Sequence, residues 1–237
     1  MYLVVEADEG GGMINPQDDH QLGDFIKGRL LFIEDYCRKH GLDKDKAMED
    51  LKREALRIAD DPEKQDFLEN RLFSGVILAS SHLPDWVDKV FLEAMTIALK
   101  GPGAALYTTT SKMPCITFEA GRFNAHRQAE SVFRVYFQGK RPEDWLKKTF
   151  ITIYRSCYGD AAADRFRVEE VSPKKFNVIV DNQGLEKASR TDCSTGVGYL
   201  YGAMEKLGAP DPVVTHERCG AVPGAGNRPC VFEVSWK

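Results

Sequence analysis

The sequence predicts an α+β protein, an N-terminal helical layer followed by an antiparallel sheet with packed helices. Three features point there. Apolar residues recur at three-and-four spacing through the first hundred positions. Two adjacent runs, 165–171 and 175–181, nearly alternate apolar and polar residues. A Gly-Pro-Gly break at 101–103 separates the two styles, so residues 1–100 read as a helical region and 101–237 as an α+β domain.

Taken in order, residues 1–19 read as a loose arm, punctuated by Gly10 to Gly12 and by Asn15-Pro16. A helix over 20–40 carries Leu22, Phe25, Ile26, Leu30, Ile33 and Cys37 on one face, and Gly41 stops it. A second helix over 43–59 turns Met48, Leu51, Ala55 and Ile58 inward. Pro62 suits the first turn of a third, which carries Phe67, Leu68, Leu72, Val76 and Ile77. Past Pro84, a fourth takes Trp86, Val90, Phe91, Ala94, Met95 and Ala98. His20, His40 and His82 lie in this layer and read as solvated or capping residues.

Beyond Gly103, stretches 105–110 and 115–118 are β-prone, and 121–139 reads as a helix. Pro142 starts another helix, ending near Cys157. The hairpin pair at 165–171 and 175–181 follows, then a helix over 194–208 and strands over 213–221 and 229–236, joined by a loop of Pro, Gly and Asn.

The chemistry concentrates in the last forty-five residues, which hold Cys193, Cys219 and Cys230, half of the six cysteines. His216 and Glu217 stand just before Cys219. Three thiols with an imidazole or a carboxylate suffice for a tetrahedral zinc ion. His216 and Cys219 converge if the strand bulges between them. Cys193 at a helix start is expected to favour thiolate. The competing reading is three buried cysteines packed as small hydrophobes.

A rival motif, Gly196-x-Gly198-x-x-x-Gly202 with Glu217 further on, has the look of a dinucleotide fingerprint. The polar run before it is no buried strand, and too few residues follow for a doubly wound sheet. Gly198 and Gly202 are better explained by close packing of their helix against the sheet.

Three runs resemble the C-terminal part of the V4R (4-vinyl reductase) domain. They are Cys193 with its Gly-containing helix (193–208), the run ending His216-Glu217-Arg218-Cys219, and the strand Cys230-x-Phe232-x-Val234. The resemblance implies zinc, with Cys193, Cys219 and Cys230 as thiolate ligands. His216 stands where the family has Glu, so the fourth ligand is His216 or the adjacent Glu217. It also implies an apolar cavity for a small hydrophobic or aromatic molecule. Aromatics crowd 123–158, where His126, Trp145 and Tyr154 are the candidate ligand contacts and Arg127 or Arg155 would anchor an anion. The function implied is sensing without turnover, signalling through the N-terminal helices or a homodimer face. The alternative is an enzyme or reductase accessory acting on a ring-containing metabolite such as a tetrapyrrole.

Composition bounds the rest. With 43% hydrophobic and 29% charged residues the chain is globular in type, and a net charge of −4 argues against a nucleic-acid partner. No apolar run is long enough to span a bilayer, and no signal peptide is legible. Six cysteines without secretion signals point to a reducing, cytoplasmic setting. No Ser-His-Asp or Cys-His arrangement is legible, and neither Cys115 nor Cys157 sits in an activating context, so no catalytic residue is assigned.

Overall fold

A computed structural model describes residues 20–78, 80–131, 133–181, 189–221 and 228–237. The expected arm at 1–19 and most of the loop joining the last two strands lie outside them. Strand β1 (His20–Leu22) leads into α1 (Gly23–His40), so the first helix starts three residues later than its apolar spacing suggests. Gly41, at φ 65°, ends it in the left-handed region that glycine tolerates. Asp43 caps α2 (Lys44–Ile58), accepting from the Lys46 N–H at 3.1 Å. Asp61 caps α3 (Pro62–Phe67) in the same way, with Pro62 in its first turn. The expected third helix then loosens into a π-helical turn (Leu68–Phe73) and ends, leaving Val76 exposed. Strand β2 (His82–Pro84) pairs with β1, and α4 (Asp85–Lys100) completes the layer. Ile26, Ile33, Leu51, Ala55, Phe91 and Met95 form its core.

That core also holds a charge pair. Arg29 and Asp88 are 1% and 5% exposed and bond through two 3.3 Å contacts between α1 and α4. Removing one partner strands the other in an apolar interior, so Asp88→Ala should cost about 3–5 kcal/mol. The double replacement Arg29→Met with Asp88→Leu should recover most of that loss in urea melts. A double variant no more stable than Asp88→Ala would contradict this.

The β-prone stretch 115–118 is helical instead. Helix α5 runs Ile116–Glu130, with Cys115 as its N-cap residue. Its faces serve two cores: Ile116 and Ala120 pack into the N-terminal one, Phe118 and Ala125 into the second. The helix expected to reach position 139 stops at Glu130, followed by short α6 (Arg134–Phe137) and α7 (Pro142–Asp144). A π-helical turn (Trp145–Thr149), α8 (Phe150–Tyr158) and α9 (Asp160–Asp164) lead to the sheet.

Strands β3 (Phe166–Ser172) and β4 (Lys175–Val180) form the hairpin that alternation predicts. Helix α10 (Arg190–Lys206) crosses over, starting four residues before the expected 194 because Ser189 caps it. Strands β5 (Val213–Arg218) and β6 (Cys230–Ser235) return, giving an antiparallel sheet in the order β3-β4-β6-β5. Phe176, Val178, Val214 and Val234 face the second core. The outer edge of β5 is covered by 109–111: the Ser111 N–H donates to the Val214 carbonyl at 2.9 Å, and Thr110 bridges Thr215. This single bridge is what becomes of the strand expected at 105–110.

Helices α5 and α10 touch backbone to backbone. A Cβ placed on Gly198 would lie 2.0 Å from the Phe118 carbonyl oxygen, and one on Gly121 2.1 Å from that of Thr195. Their contact fixes the start of α10, and hence Cys193, relative to the sheet.

Among the described residues no helix is long and apolar enough to cross a membrane.

Candidate metal centre

Three elements deliver four donors to one point. Helix α10 contributes Cys193 from its first turn, and β6 contributes its first residue, Cys230. The end of β5 contributes His216, with Cys219 just past it. The register of β5 against β6 runs Thr215↔Glu233 and then Arg218↔Val231. Two residues, His216 and Glu217, therefore stand opposite one, Phe232. This bulge turns His216 inward, at 1% exposure, and leaves Glu217 exposed.

The sulfurs of Cys193, Cys219 and Cys230 and a ring nitrogen of His216 all lie within 4.8 Å of one another. The Cys193–Cys230 and Cys193–Cys219 sulfurs are 3.6 and 3.9 Å apart. Thiolates bound tetrahedrally at about 2.3 Å would be about 3.8 Å apart. The imidazole is oriented from behind: Nδ1 lies 2.9 Å from the Val231 carbonyl, and the ring stacks on Phe232 at 4.2 Å between centroids. With Nδ1 donating to that carbonyl, Nε2 is the nitrogen left to face the sulfurs. Nε2 is buried and makes no hydrogen bond. A ring nitrogen held by a carbonyl and open on its other side is what a metal-ligating histidine needs. The Gly220 N–H donates to the Cys230 sulfur at 3.3 Å, a further support.

Without an ion the cluster is costly. Contact with Cys219 and Cys230, reinforced by burial, holds the Cys193 thiol well above its ordinary pKa. The thiolate expected from the helix start is thus not what the bare site favours, because neighbouring sulfurs outweigh the helix end. Burial disfavours the charged His216 ring, but Cys219, Cys230 and the Val231 carbonyl outweigh it and lift its pKa to about 9. A cation replacing those protons satisfies every donor at once.

The candidate ligand contacts are not gathered in the same way. Trp145 is fully buried, stacked on Phe150 at 5.0 Å, and its indole N–H has no acceptor. Tyr154 joins the same aromatic group at its rim, 4.3 Å from Phe166 and 4.5 Å from Tyr158. His126 is elsewhere, on the α5–α10 surface, with Nε2 3.0 Å from Glu205. Burial, set against that carboxylate, lowers its pKa. Arg127 is held by Asp24 and Asn124, and Arg155 by Asp160. Cys157 is buried in the second core, and burial lifts its thiol to about 12, leaving it inert.

Sequence reasoning missed the Val231 carbonyl, the Gly220 N–H and the buried network joining Asp24, Gln128 and the Tyr199 hydroxyl. Backbone groups leave no mark in side-chain spacing. The network's only signal was three polar residues on helical faces otherwise read as apolar.

No protein-family model matches the chain, and no curated protein matches it. Solved structures share its fold. An H-NOX protein from S. oneidensis in the Fe(II)NO ligation state superposes with a TM-score of 0.57 at 11% identity, over 91% of this chain and 99% of that one. An oxygen-binding H-NOX domain related to soluble guanylate cyclases gives 0.55 at 12% identity, over 91% and 94%. A structure from work on heme distortion in the H-NOX family gives the same values. The V4R assignment is therefore corrected: the shared fold is that of H-NOX domains, and no V4R model matches. A Gly-containing helix and a Cys-x-Phe-x-Val strand are also what tight helix contact and an inward-facing strand demand, so short runs of them misled. Zinc as the cofactor, read from the ligand set and strengthened by that resemblance, is corrected as well, since work on the fold neighbours concerns heme.

Proposed function

We propose that the chain is a small-molecule-binding sensor module with an H-NOX fold, whose C-terminal sheet is tied to α10 by a metal ion on Cys193, His216, Cys219 and Cys230. The observation that carries this reading is the buried, unpartnered Nε2 of His216 facing three sulfurs. Three thiolates and an imidazole suit a soft ion in tetrahedral coordination, and a full set of protein ligands makes the ion structural. The ion would fasten α10, β5 and β6 together.

No described histidine of this chain is placed to hold heme, the group named for a fold neighbour. His40 is exposed and stacks on Tyr36, His82 is exposed, and His126 is engaged by Glu205. His216 has an open nitrogen, but Phe232 covers its ring and three sulfurs crowd that nitrogen, leaving no room for a macrocycle. The reading therefore takes a smaller hydrophobic or aromatic ligand, held near Trp145 and Tyr154. The unpaired Trp145 N–H supports a ligand that carries an acceptor. The N-terminal helices or a homodimer face would pass on the signal. Turnover of a tetrapyrrole has no observation in its favour among the described residues.

Native mass spectrometry of the whole chain tests both parts. One ion per chain is expected, retained in Glu217→Ala and lost in His216→Ala, with any captured ligand released on denaturation. An ion kept by His216→Ala and lost by Glu217→Ala would overturn the ligand assignment.

A further inference from the structure

The sheet order β3-β4-β6-β5 leaves two outer edges, and they differ. The edge of β5 is covered by 109–111. Among the described residues no backbone group pairs with the edge of β3. The register shows what that edge presents. The Asp181 N–H donates to the Arg165 carbonyl at 2.8 Å, and the ladder continues as Arg167↔Ile179 and Glu169↔Asn177. Alternation in an antiparallel ladder then turns the N–H and carbonyl groups of Arg165, Arg167 and Glu169 toward β4, and those of Phe166, Val168 and Glu170 outward. The irregularity in this pairing lies past Glu170, so the outward groups before it are evenly spaced.

An open strand edge is a template for another strand, and charged side chains commonly blunt it. On β3 the charges are ordered by sign. Arg167 precedes Glu169 on one face of the strand; the two are about half exposed and 3.1 Å apart. We propose that the β3 edge is a homodimer face, on which two copies of this chain pair antiparallel about a twofold axis at Val168. Val168 then stands opposite Val168 of the partner subunit, and Phe166 opposite Glu170 of the partner subunit. Each such pair exchanges hydrogen bonds through its outward backbone groups. Arg167 falls opposite Glu169 of the partner subunit, in the narrow pair where side chains are closest. Moving the axis by one residue sets Arg167 against its own copy in one direction and Glu169 against its own copy in the other. Charge therefore selects the register centred on Val168.

A single strand edge buries less than the roughly 1,000 Å² of a stable complex, so the dimer is weak and reversible. Its role rests on the sensor reading above, whose homodimer face it locates. Phe166, on the same strand, lies 5.1 Å from Phe150 and 4.3 Å from Tyr154 between ring centroids. A ligand that shifts this aromatic group shifts the dimer edge, and dimerisation in turn changes affinity for the ligand.

Sedimentation velocity of the full chain over a concentration series tests the face. The parent should pass reversibly from monomer to dimer. Glu169→Arg, which sets like charges opposite each other, should weaken association by at least about tenfold, and Arg167→Glu should do the same. Mixed together, the two variants should associate again, because every Arg meets a Glu. Circular dichroism of both should match the parent, since the changed side chains are exposed. Mixed variants that stay monomeric would overturn the register. A dimer that survives both reversals would overturn this face while leaving a homodimer route elsewhere on the chain. A parent that is monomeric at every concentration would overturn the proposal and that route together, while the bound ion and captured ligand are still read separately by native mass spectrometry.

Discussion

Gly198→Ala should produce the largest loss of stability among alanine substitutions of the three interior glycines of α10. The new Cβ would stand 2.0 Å from the Phe118 carbonyl oxygen, a backbone atom inside a helix that cannot give way locally. The two helices must separate, and everything packed on them must follow. Alanine's better helix propensity returns only about 1 kcal/mol. Overpacking of this kind costs at least about 3 kcal/mol, at the upper end for added methyl groups. For a chain of this size the net loss of about 2 kcal/mol is a fall of about 4–8 °C in Tm. The neighbouring glycines calibrate the claim. A Cβ on Gly202 would meet the Arg122 carbonyl oxygen at 2.8 Å and should cost less. One on Gly196 would meet ring carbons of Phe232 at 3.2 Å, which can shift, and should change Tm little. Thermal melts ranking the three differently would contradict the backbone contact.

On the metal reading proposed above, Cys230→Ser should empty the candidate centre. Its sulfur is buried, at 2% exposure of the residue, and sits 3.6 Å from Cys193 with the Gly220 N–H aimed at it. A hydroxyl is shorter, harder and far less acidic than a thiol, so the ion loses a strong ligand. The metal ratio should fall from one per chain to less than a tenth. An ion present at about a thousandfold over its dissociation constant contributes about 4 kcal/mol by linkage. Its loss should lower Tm by about 8–16 °C. Chelator treatment of the parent should reproduce that fall, and Cys115→Ser should leave the metal ratio unchanged. A Cys230→Ser protein that keeps its ion, or a Cys115→Ser protein that loses it, would contradict the donor set.

How much of this was legible depended on whether the cause was local. The β3–β4 hairpin was readable because β4 buries Phe176 and Val178 on one face, with Phe166 and Val168 of β3 half-buried beside them, and alternation records that. The inward faces of α1 and α2 were readable for the same reason at helical spacing. Arg29 was not: a charged residue reads as solvent-facing until Asp88, from another helix, is seen beside it. The start of α5 was misread because Ile116, Thr117 and Phe118 favour strands, and burial against two cores overrides that preference. Close packing at Gly198 and Gly202 was legible in their four-residue spacing on one helix face, but the partner was misread: it is helix α5 and not the sheet. At the candidate centre, residue types alone nominated Cys193, His216, Cys219 and Cys230. Which of His216 and Glu217 turns inward is decided by a bulge in β5, and nothing in the local sequence marks it.

X-ray absorption at the edge of the bound metal measures the first coordination shell and so tests the metal centre most directly. The account expects three sulfur neighbours at about 2.3 Å and one imidazole nitrogen, with no open position. A shell of oxygen and nitrogen alone, or a purified chain with no stoichiometric metal to measure, would contradict it.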